Sequence, residues 1–263
     1  MKKFLLIGNP IKHSLSPKLH NYWFKQNNID AVYEKRQIEE VDIKHIVSEI
    51  RNGILEGMNV TVPFKKSVIK FLDDLSPFAS ETQSVNTIYK EKNKIVGGNT
   101  DIGGFAASLN YINYNLKGKI VFILGAGGVV PSLIVALNHL GVSKIILSNR
   151  SNDKATYLKK KFPFINLVNW GQLQDFDMII NATSIGLNKN DKIPINFNNT
   201  KAGRLFYDII YNPKETNFLI EAKKKGNLIE NGKMMFLYQA QLAFELWFNI
   251  KPEINEEVIK LVE

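Results

Sequence analysis

Residues 120–131, Ile120-Val121-Phe122-Ile123-Leu124-Gly125-Ala126-Gly127-Gly128-Val129-Val130-Pro131, decide the fold. Five apolar residues in a row read as a strand buried on both faces, the kind that a parallel sheet covered by helices requires. The glycines sit between that strand and a helical stretch, the context that turns a weak glycine pattern into a dinucleotide-phosphate site. Gly125 permits the tight turn, Gly127 lets the backbone approach a pyrophosphate, and the amides at the helix N-terminus point at the anion. The third small residue of the pattern is replaced by Val130, which is expected to push helix and strand slightly apart. Pro131 is tolerated in a first helical turn.

Moving outward, Lys144–Ser148, Met178–Ala182 and Leu205–Ile210 read as further buried strands, and Val129–Leu140, Asn152–Phe162 and Glu215–Lys225 as helices between them. Strands alternating with helices give the right-handed crossovers of a doubly wound parallel sheet. The strand after the glycines ends in Asn149-Arg150-Ser151, with Lys154 a turn later and no carboxylate before Asp153. A guanidinium pairs strongly with a phosphate, so these residues favour the 2′-phosphate of NADP over the free ribose of NAD. The loop Asn181-Ala182-Thr183-Ser184-Ile185-Gly186 falls where a strand end would border ribose and nicotinamide.

Upstream, Lys3–Gly8, Ala31–Gln37, Gly57–Val62, Ser84–Tyr89 and Ile95–Gly97 read as strands. Ser16–Gln26, Asp42–Asn52 and Phe64–Leu72 read as helices, and Asn99-Thr100-Asp101 as a helix N-cap region. Met234–Phe248 and Asn255–Val262 are helices that end the chain. The class is α/β in two domains, with a boundary near Gly103–Lys119. Two domains around a cleft predict hinge closure on binding.

Composition excludes several functions. At 263 residues, 44% hydrophobic and 22% charged, the chain has enough apolar surface for real cores. It has no cysteine, so it has no disulfide framework, thiolate metal site or cysteine nucleophile. The net charge of +9 raises the question of nucleic acid, but the basic runs Lys159–Lys161 and Lys223–Lys225 have no aromatic interleaving and read as solvated helix faces. No segment has the length of a membrane helix or the form of a signal peptide, so the expected location is the cytoplasm. His13, His20, His45 and His139 have no ligand spacing; each reads as a surface or loop histidine, and no metal is expected. A sheet edge or the final helices could serve a homodimer.

Polar residues of the first domain cluster at strand ends. Ser14 and Ser16 present two hydroxyls in one loop, suited to a carboxylate or polyol. Asn59 and Thr61 share a strand face by the period of two, and Lys65 follows just past that strand. Asn86 and Asp101 supply an amide and a carboxylate. Hydride transfer at a secondary alcohol requires a proton to move on oxygen, and Lys65 is the candidate base. A free lysine has a pKa of about 10.4; desolvation in a closing cleft favours its neutral form, while a nearby carboxylate, for which Asp101 is a candidate, would hold it in position and favour its charged form.

Taken in order, Ser14-x-Ser16, Asn59-Val-Thr61-Val-Pro-Phe-Lys65, Val85-Asn86-Thr87, Asn99-Thr-Asp101, Gly125-Ala-Gly-Gly128, Asn149-Arg150, Asn181-Ala-Thr-Ser184, Asp208-x-x-Tyr211-Asn-Pro213 and Gln239-Ala240 resemble the shikimate dehydrogenase family across about 240 residues. The resemblance implies NADP-linked reduction of 3-dehydroshikimate to shikimate, with Lys65 and Asp101 as the catalytic pair. It implies that Ser14, Ser16, Asn59, Thr61, Asn86, Tyr211 and Gln239 hold the substrate. It further implies that Gly125, Ala126, Gly127, Gly128, Val129, Asn149, Arg150, Ser151, Lys154, Thr183, Ile209 and Gly232 line the cofactor. The domains would then be 1–102 with 236–263 for substrate, and 103–235 for NADP, the last helices returning to the first domain. Val129-Val130-Pro131, Pro77 and Leu187 depart from the family pattern and bear on cofactor affinity. The alternatives are a relative that accepts quinate, usually with NAD, and a non-catalytic metabolite sensor on the same fold.

Overall fold

The computed structural model describes residues 1–198 and 200–263. The chain divides into two compact units, Met1–Phe105 with Leu237–Glu263, and Ala106–Phe236.

The first unit is built from β1 (Lys2–Gly8), α1 (Ser16–Gln26), β2 (Ala31–Gln37), α2 (Ile43–Arg51), β3 (Gly57–Val60), β4 (Asp74–Leu75), α3 (Pro77–Thr82), β5 (Thr87–Glu91), β6 (Lys94–Gly98) and the start of α4 (Asp101–Tyr111). Its sheet has the order β2-β1-β3-β5-β6-β4. β1 runs parallel to β2 and β3, while β5 is antiparallel to both β3 and β6. On α2 the residues Ile43, Ile46, Val47 and Ile50 recur at helical spacing, and all four are buried against Leu5, Ile7, Met58 and Val60. α3 begins at Ser76, whose hydroxyl caps the helix by accepting from the Ala79 amide at 3.3 Å, followed by Pro77 in the first turn.

Two expectations change here. The strand expected to reach Val62 ends at Val60, and the helix expected over 64–72 is a series of turns followed by a 3-10 helix, Ser67–Phe71. The Lys65 carbonyl accepts from the Val85 amide at 2.8 Å, and the Ile69 amide bonds Lys66 instead, at 3.2 Å. The tertiary contact takes the acceptor that an α-helical turn would have used. His20 is also misread as a surface or loop residue. It lies on the inner face of α1 with Leu19, Trp23 and Phe24, is 1% exposed, and stacks on the Tyr33 ring at 4.4 Å. Burial lowers its pKa to about 3, so it is neutral.

The second unit contains β7 (Ile120–Leu124), α5 (Val130–His139), β8 (Lys144–Ser148), α6 (Asn152–Lys161), β9 (Asn166–Val168), β10 (Met178–Asn181), β11 (Leu205–Asp208), α7 (Asn217–Lys224) and β12 (Leu228–Glu230). α8 (Lys233–Phe248) starts here and continues into the first unit, which also holds α9 (Glu256–Leu261). The sheet order is β12-β11-β10-β7-β8-β9, with each recorded pairing parallel. The chain winds outward from β7 in one direction, then returns to β10 and winds the other way. The carboxyl ends of β7 and β10 therefore flank a topological switch point, where doubly wound sheets bind ligands. Phe122, Phe176, Phe197, Phe206 and Phe218 fill the core beside the sheet, largely edge to face.

Candidate active site

In the first unit, the turn after β3 places Lys65. The Phe64 amide bonds the Thr61 carbonyl at 3.0 Å, Phe64 is buried, and the Lys65 carbonyl is held by Val85. From there the Lys65 Nζ donates to Asp101 Oδ2 at 2.5 Å. The two residues are 9% and 5% exposed. Asp101 opens α4, where the helix dipole favours a carboxylate, and its amide donates to Asn99 Oδ1 at 3.1 Å. One of the three Lys65 N–H donors goes to Asp101, which leaves two for a bound oxygen.

Asn86 connects this pair to its surroundings. Its Nδ2 donates to Asp101 Oδ1 at 2.9 Å, Thr100 Oγ1 at 2.8 Å and Gln239 Oε1 at 3.4 Å, while its Oδ1 accepts from the Thr100 amide at 2.8 Å. Asn59 Nδ2 donates to the Asn86 carbonyl at 3.0 Å and to Thr87 Oγ1 at 2.9 Å, and Thr87 Oγ1 donates to Asn86 Oδ1 at 3.2 Å. A residue that sequence reasoning missed completes the network. The buried Tyr33 hydroxyl donates to Asn59 Oδ1 at 2.7 Å and is also hydrogen-bonded to Ser16, and burial raises its pKa well above the usual phenol value. Ser14 Oγ donates to Ser16 Oγ at 3.2 Å. Tyr33, between Val32 and Glu34 on β2, carries no local signal of a polar role; only the β2-β1-β3 pairing brings it to Asn59. The first unit thus brings together Ser14, Ser16, Asn59, Lys65, Asn86, Asp101 and Gln239. Thr61 packs its methyl group against Gly8, where an added Cβ would stand 2.4 Å from it.

In the second unit, Gly125 has φ +110°, and a Cβ there would meet the Ala182 carbonyl oxygen at 2.7 Å, so only glycine fits the turn. A Cβ on Gly127 would meet that oxygen alone, at 3.8 Å, which leaves its outer side open for close approach by a ligand. Ala126, Gly128 and Val129 complete the turn into α5, and Val130 is fully buried. At the end of β8, Asn149 Nδ2 donates to the Ser151 carbonyl at 2.8 Å. Arg150, Ser151 and Lys154 are exposed, and neither cation makes an ion pair among the described residues. Gly232 abuts Ile209 so closely that a Cβ would lie 2.1 Å from the Ile209 carbonyl oxygen. Thr183 follows Asn181 at the end of β10, its amide and Oγ1 both donating to Asn181 Oδ1 at 3.1 and 2.7 Å. These features fit a dinucleotide phosphate on the α5 N-terminus and a 2′-phosphate near Arg150. Tyr211 belongs to this unit, and its ring stacks on Phe236 at 4.8 Å. Among the described residues no cluster of His, Asp and Glu is arranged to hold a metal, and no helix is long and apolar enough to cross a membrane.

Residues 6–88 match the shikimate dehydrogenase substrate binding domain, and residues 108–233 match the shikimate / quinate 5-dehydrogenase family. The chain is 56% identical over 262 residues to the shikimate dehydrogenase (NADP(+)) of Pelagibacter ubique, covering 100% of this chain and 99% of that protein. It is 40% identical to that of Caldicellulosiruptor saccharolyticus over 95% of this chain and 93% of the relative. Among solved structures, shikimate dehydrogenase from Aquifex aeolicus superposes with a TM-score of 0.91 at 35% identity, over 100% of this chain and 97% of that one. The Thermus thermophilus enzyme in complex with NADP(H) and shikimate superposes with a TM-score of 0.90 at 29% identity, over 100% and 98% of the two chains. On its sequence, its two matched domains and its fold, the chain belongs to the shikimate dehydrogenase family.

Proposed function

We propose that the chain is an NADP-linked oxidoreductase that interconverts 3-dehydroshikimate and shikimate, with the reacting proton carried by Lys65. NADPH, when bound, supplies the hydride that goes to the ketone carbon. The Lys65 ammonium donates a proton to the ketone oxygen as that oxygen becomes a hydroxyl, and the amine recovers its proton from solvent. In the oxidative direction the same amine accepts the hydroxyl proton. Asp101 keeps Lys65 Nζ in place through the 2.5 Å contact, and Asn86 fixes the other oxygen of Asp101. Ser14 and Ser16 hold the substrate carboxylate; Asn59, Thr61, Asn86, Tyr211 and Gln239 take the ring hydroxyls. Gly125 to Val129, Asn149 to Lys154, Thr183, Ile209 and Gly232 hold the cofactor, and Arg150 selects its 2′-phosphate. Residues 1–102 with 236–263 are then the substrate half and 103–235 the NADP half. The partners are small molecules rather than nucleic acid or a membrane, and the setting is the cytoplasm.

The observation that carries this reading is the buried Lys65–Asp101 contact, because a sensor that only binds has no need of a desolvated proton donor beside a carboxylate. Initial rates with shikimate and with quinate, each with NADP+ and NAD+, test it. The expected result is turnover of shikimate with NADP+; a clear NAD+ preference overturns the cofactor assignment, and absence of turnover with a well-folded chain overturns the reaction.

A further inference from the structure

At the carboxyl ends of β10 and β11 a second buried carboxylate, unused by the reaction above, holds two loops. Asp208 and its register partner Asn181 are both 0% exposed. No cation lies in ion-pair range of Asp208 among the described residues, and its oxygens are met by neutral donors alone. Asn181 Nδ2 lies 3.1 Å from each oxygen, Thr216 Oγ1 donates at 2.7 Å and the Ile210 amide at 3.0 Å. Because its NH2 faces Asp208, the Asn181 amide turns its oxygen to Thr183, whose amide and hydroxyl both donate to it; the same NH2 reaches the Ile185 carbonyl at 2.9 Å. The Ile185 amide then bonds Thr183 Oγ1 at 3.0 Å. One anion therefore sets the orientation of an amide, and the amide shapes the loop that carries Thr183. An ionised carboxylate accepts from all these donors, whereas a protonated one must spend an oxygen on a donor of its own.

We infer that Asp208 is a positioning residue for the cofactor: by accepting from Asn181, Thr216 and Ile210 it holds Thr183 and Ile209 where the NADP pocket needs them. The inference rests on the NADP-binding reading of the second unit. Burial raises the Asp208 pKa to about 6, with the three donors pulling it down. The other ionisable groups on the elements around it include Tyr207 on β11, raised by burial, Glu230 on β12, also raised by burial, Lys214 and Glu215 ahead of α7, Glu221, Lys223 and Lys224 on α7, with Lys223 paired to Glu215, and Asp191, which accepts from the Gly186 amide and is lowered by it.

The test is calorimetric titration of NADP+ at pH 5, 6, 7 and 8 on the wild-type protein and on Asp208→Asn, with shikimate titrated separately. The 2′-phosphate of the cofactor titrates at about pH 6 like other phosphomonoesters, and burial raises Glu230 as well, so the quantity read is the ratio of the two dissociation constants at each pH. The expected ratio is about tenfold at pH 8, shrinking about threefold or more by pH 5, with shikimate affinity unchanged. A merely structural role would lower the melting temperature and leave this ratio flat in pH. Thr216→Val keeps the shape of the side chain and removes one donor, so it is expected to move the acid loss of NADP+ affinity to higher pH; it decides the matter should Asp208→Asn not fold. A flat ratio, or for Thr216→Val an unmoved profile, overturns the inference. Failure of the wild-type protein to bind NADP+ at any pH overturns the cofactor reading instead.

Discussion

The two units each bury a carboxylate, and they satisfy it in opposite ways. Asp101 in the first unit faces a cation, Lys65, at 2.5 Å. Asp208 in the second faces only an amide, a hydroxyl and a backbone N–H, and burial raises its pKa to about 6. Taking a charge out of water costs free energy in both places. In the first, the neighbouring charge offsets that cost and brings a movable proton with it. In the second, several neutral donors share the work and become fixed in orientation by doing so. A carboxylate paired with a cation suits proton transfer, and one ringed by dipoles suits the shaping of loops.

The largest expected effect tests the first half of that contrast. Lys65→Ala is expected to reduce turnover by about 10²–10⁴-fold, the usual contribution of general acid–base catalysis, while shikimate binding survives; steady-state rates and calorimetry check it. Unchanged turnover would remove Lys65 from proton transfer. Asp101→Asn keeps the shape and removes the charge, leaving the buried ammonium without its partner. Turnover should fall, and urea unfolding should show a loss of about 3–5 kcal/mol. If Asp101→Asn spared turnover while Asp208→Asn abolished it, the roles of the two carboxylates would be reversed.

Buried His20 sharpens the comparison as a titratable group with neither kind of support. Both of its ring nitrogens are buried without a hydrogen-bond partner. Burial holds its folded pKa at about 3, below the ordinary histidine value of about 6.5. As pH falls through this window the unfolded chain takes up a proton that the folded chain refuses, so stability drops with falling pH. His20→Phe should flatten that part of the pH–stability curve, measured by chemical denaturation from pH 7 to pH 4; an unaltered slope counts against it. Arg150→Ala is expected to weaken NADP+ about tenfold and leave NAD+ nearly unaffected, as titration of both cofactors would show. The smallest effect concerns the cap of α3, which hydrogen-bonds neither carboxylate. Ser76→Ala should cost about 1 kcal/mol in urea unfolding with rates unaltered, and a larger loss would mean that α3 supports more than itself.

Much of the fold was legible because its signals are local. Ala31–Gln37, Ile120–Leu124 and Lys144–Ser148 coincide with observed strands, since an unbroken apolar or alternating run between turn residues has few other places to go. Short elements such as β4, β9 and β12, of two or three residues, are too brief to show a period. The Phe64–Leu72 segment read as a helix because nothing local reveals that Val85 claims the Lys65 carbonyl. His20 was legible in principle: Leu19, His20, Trp23 and Phe24 lie on one face of α1, and that spacing placed it inside.

By itself the sequence determined the alternation of strands and helices, the glycine turn after β7, the basic pair Arg150 and Lys154, and the chemical types available at strand ends. These follow from backbone sterics and side-chain periodicity within a dozen residues. Only the tertiary structure decided that Lys65 meets Asp101 across 36 positions, that Tyr33 reaches Asn59 across 26, and that Asp208 grips Asn181 across 27. Those contacts depend on which strands lie side by side, and sheet order is settled by the packing of whole faces against one another, a sum that no single stretch of chain contains.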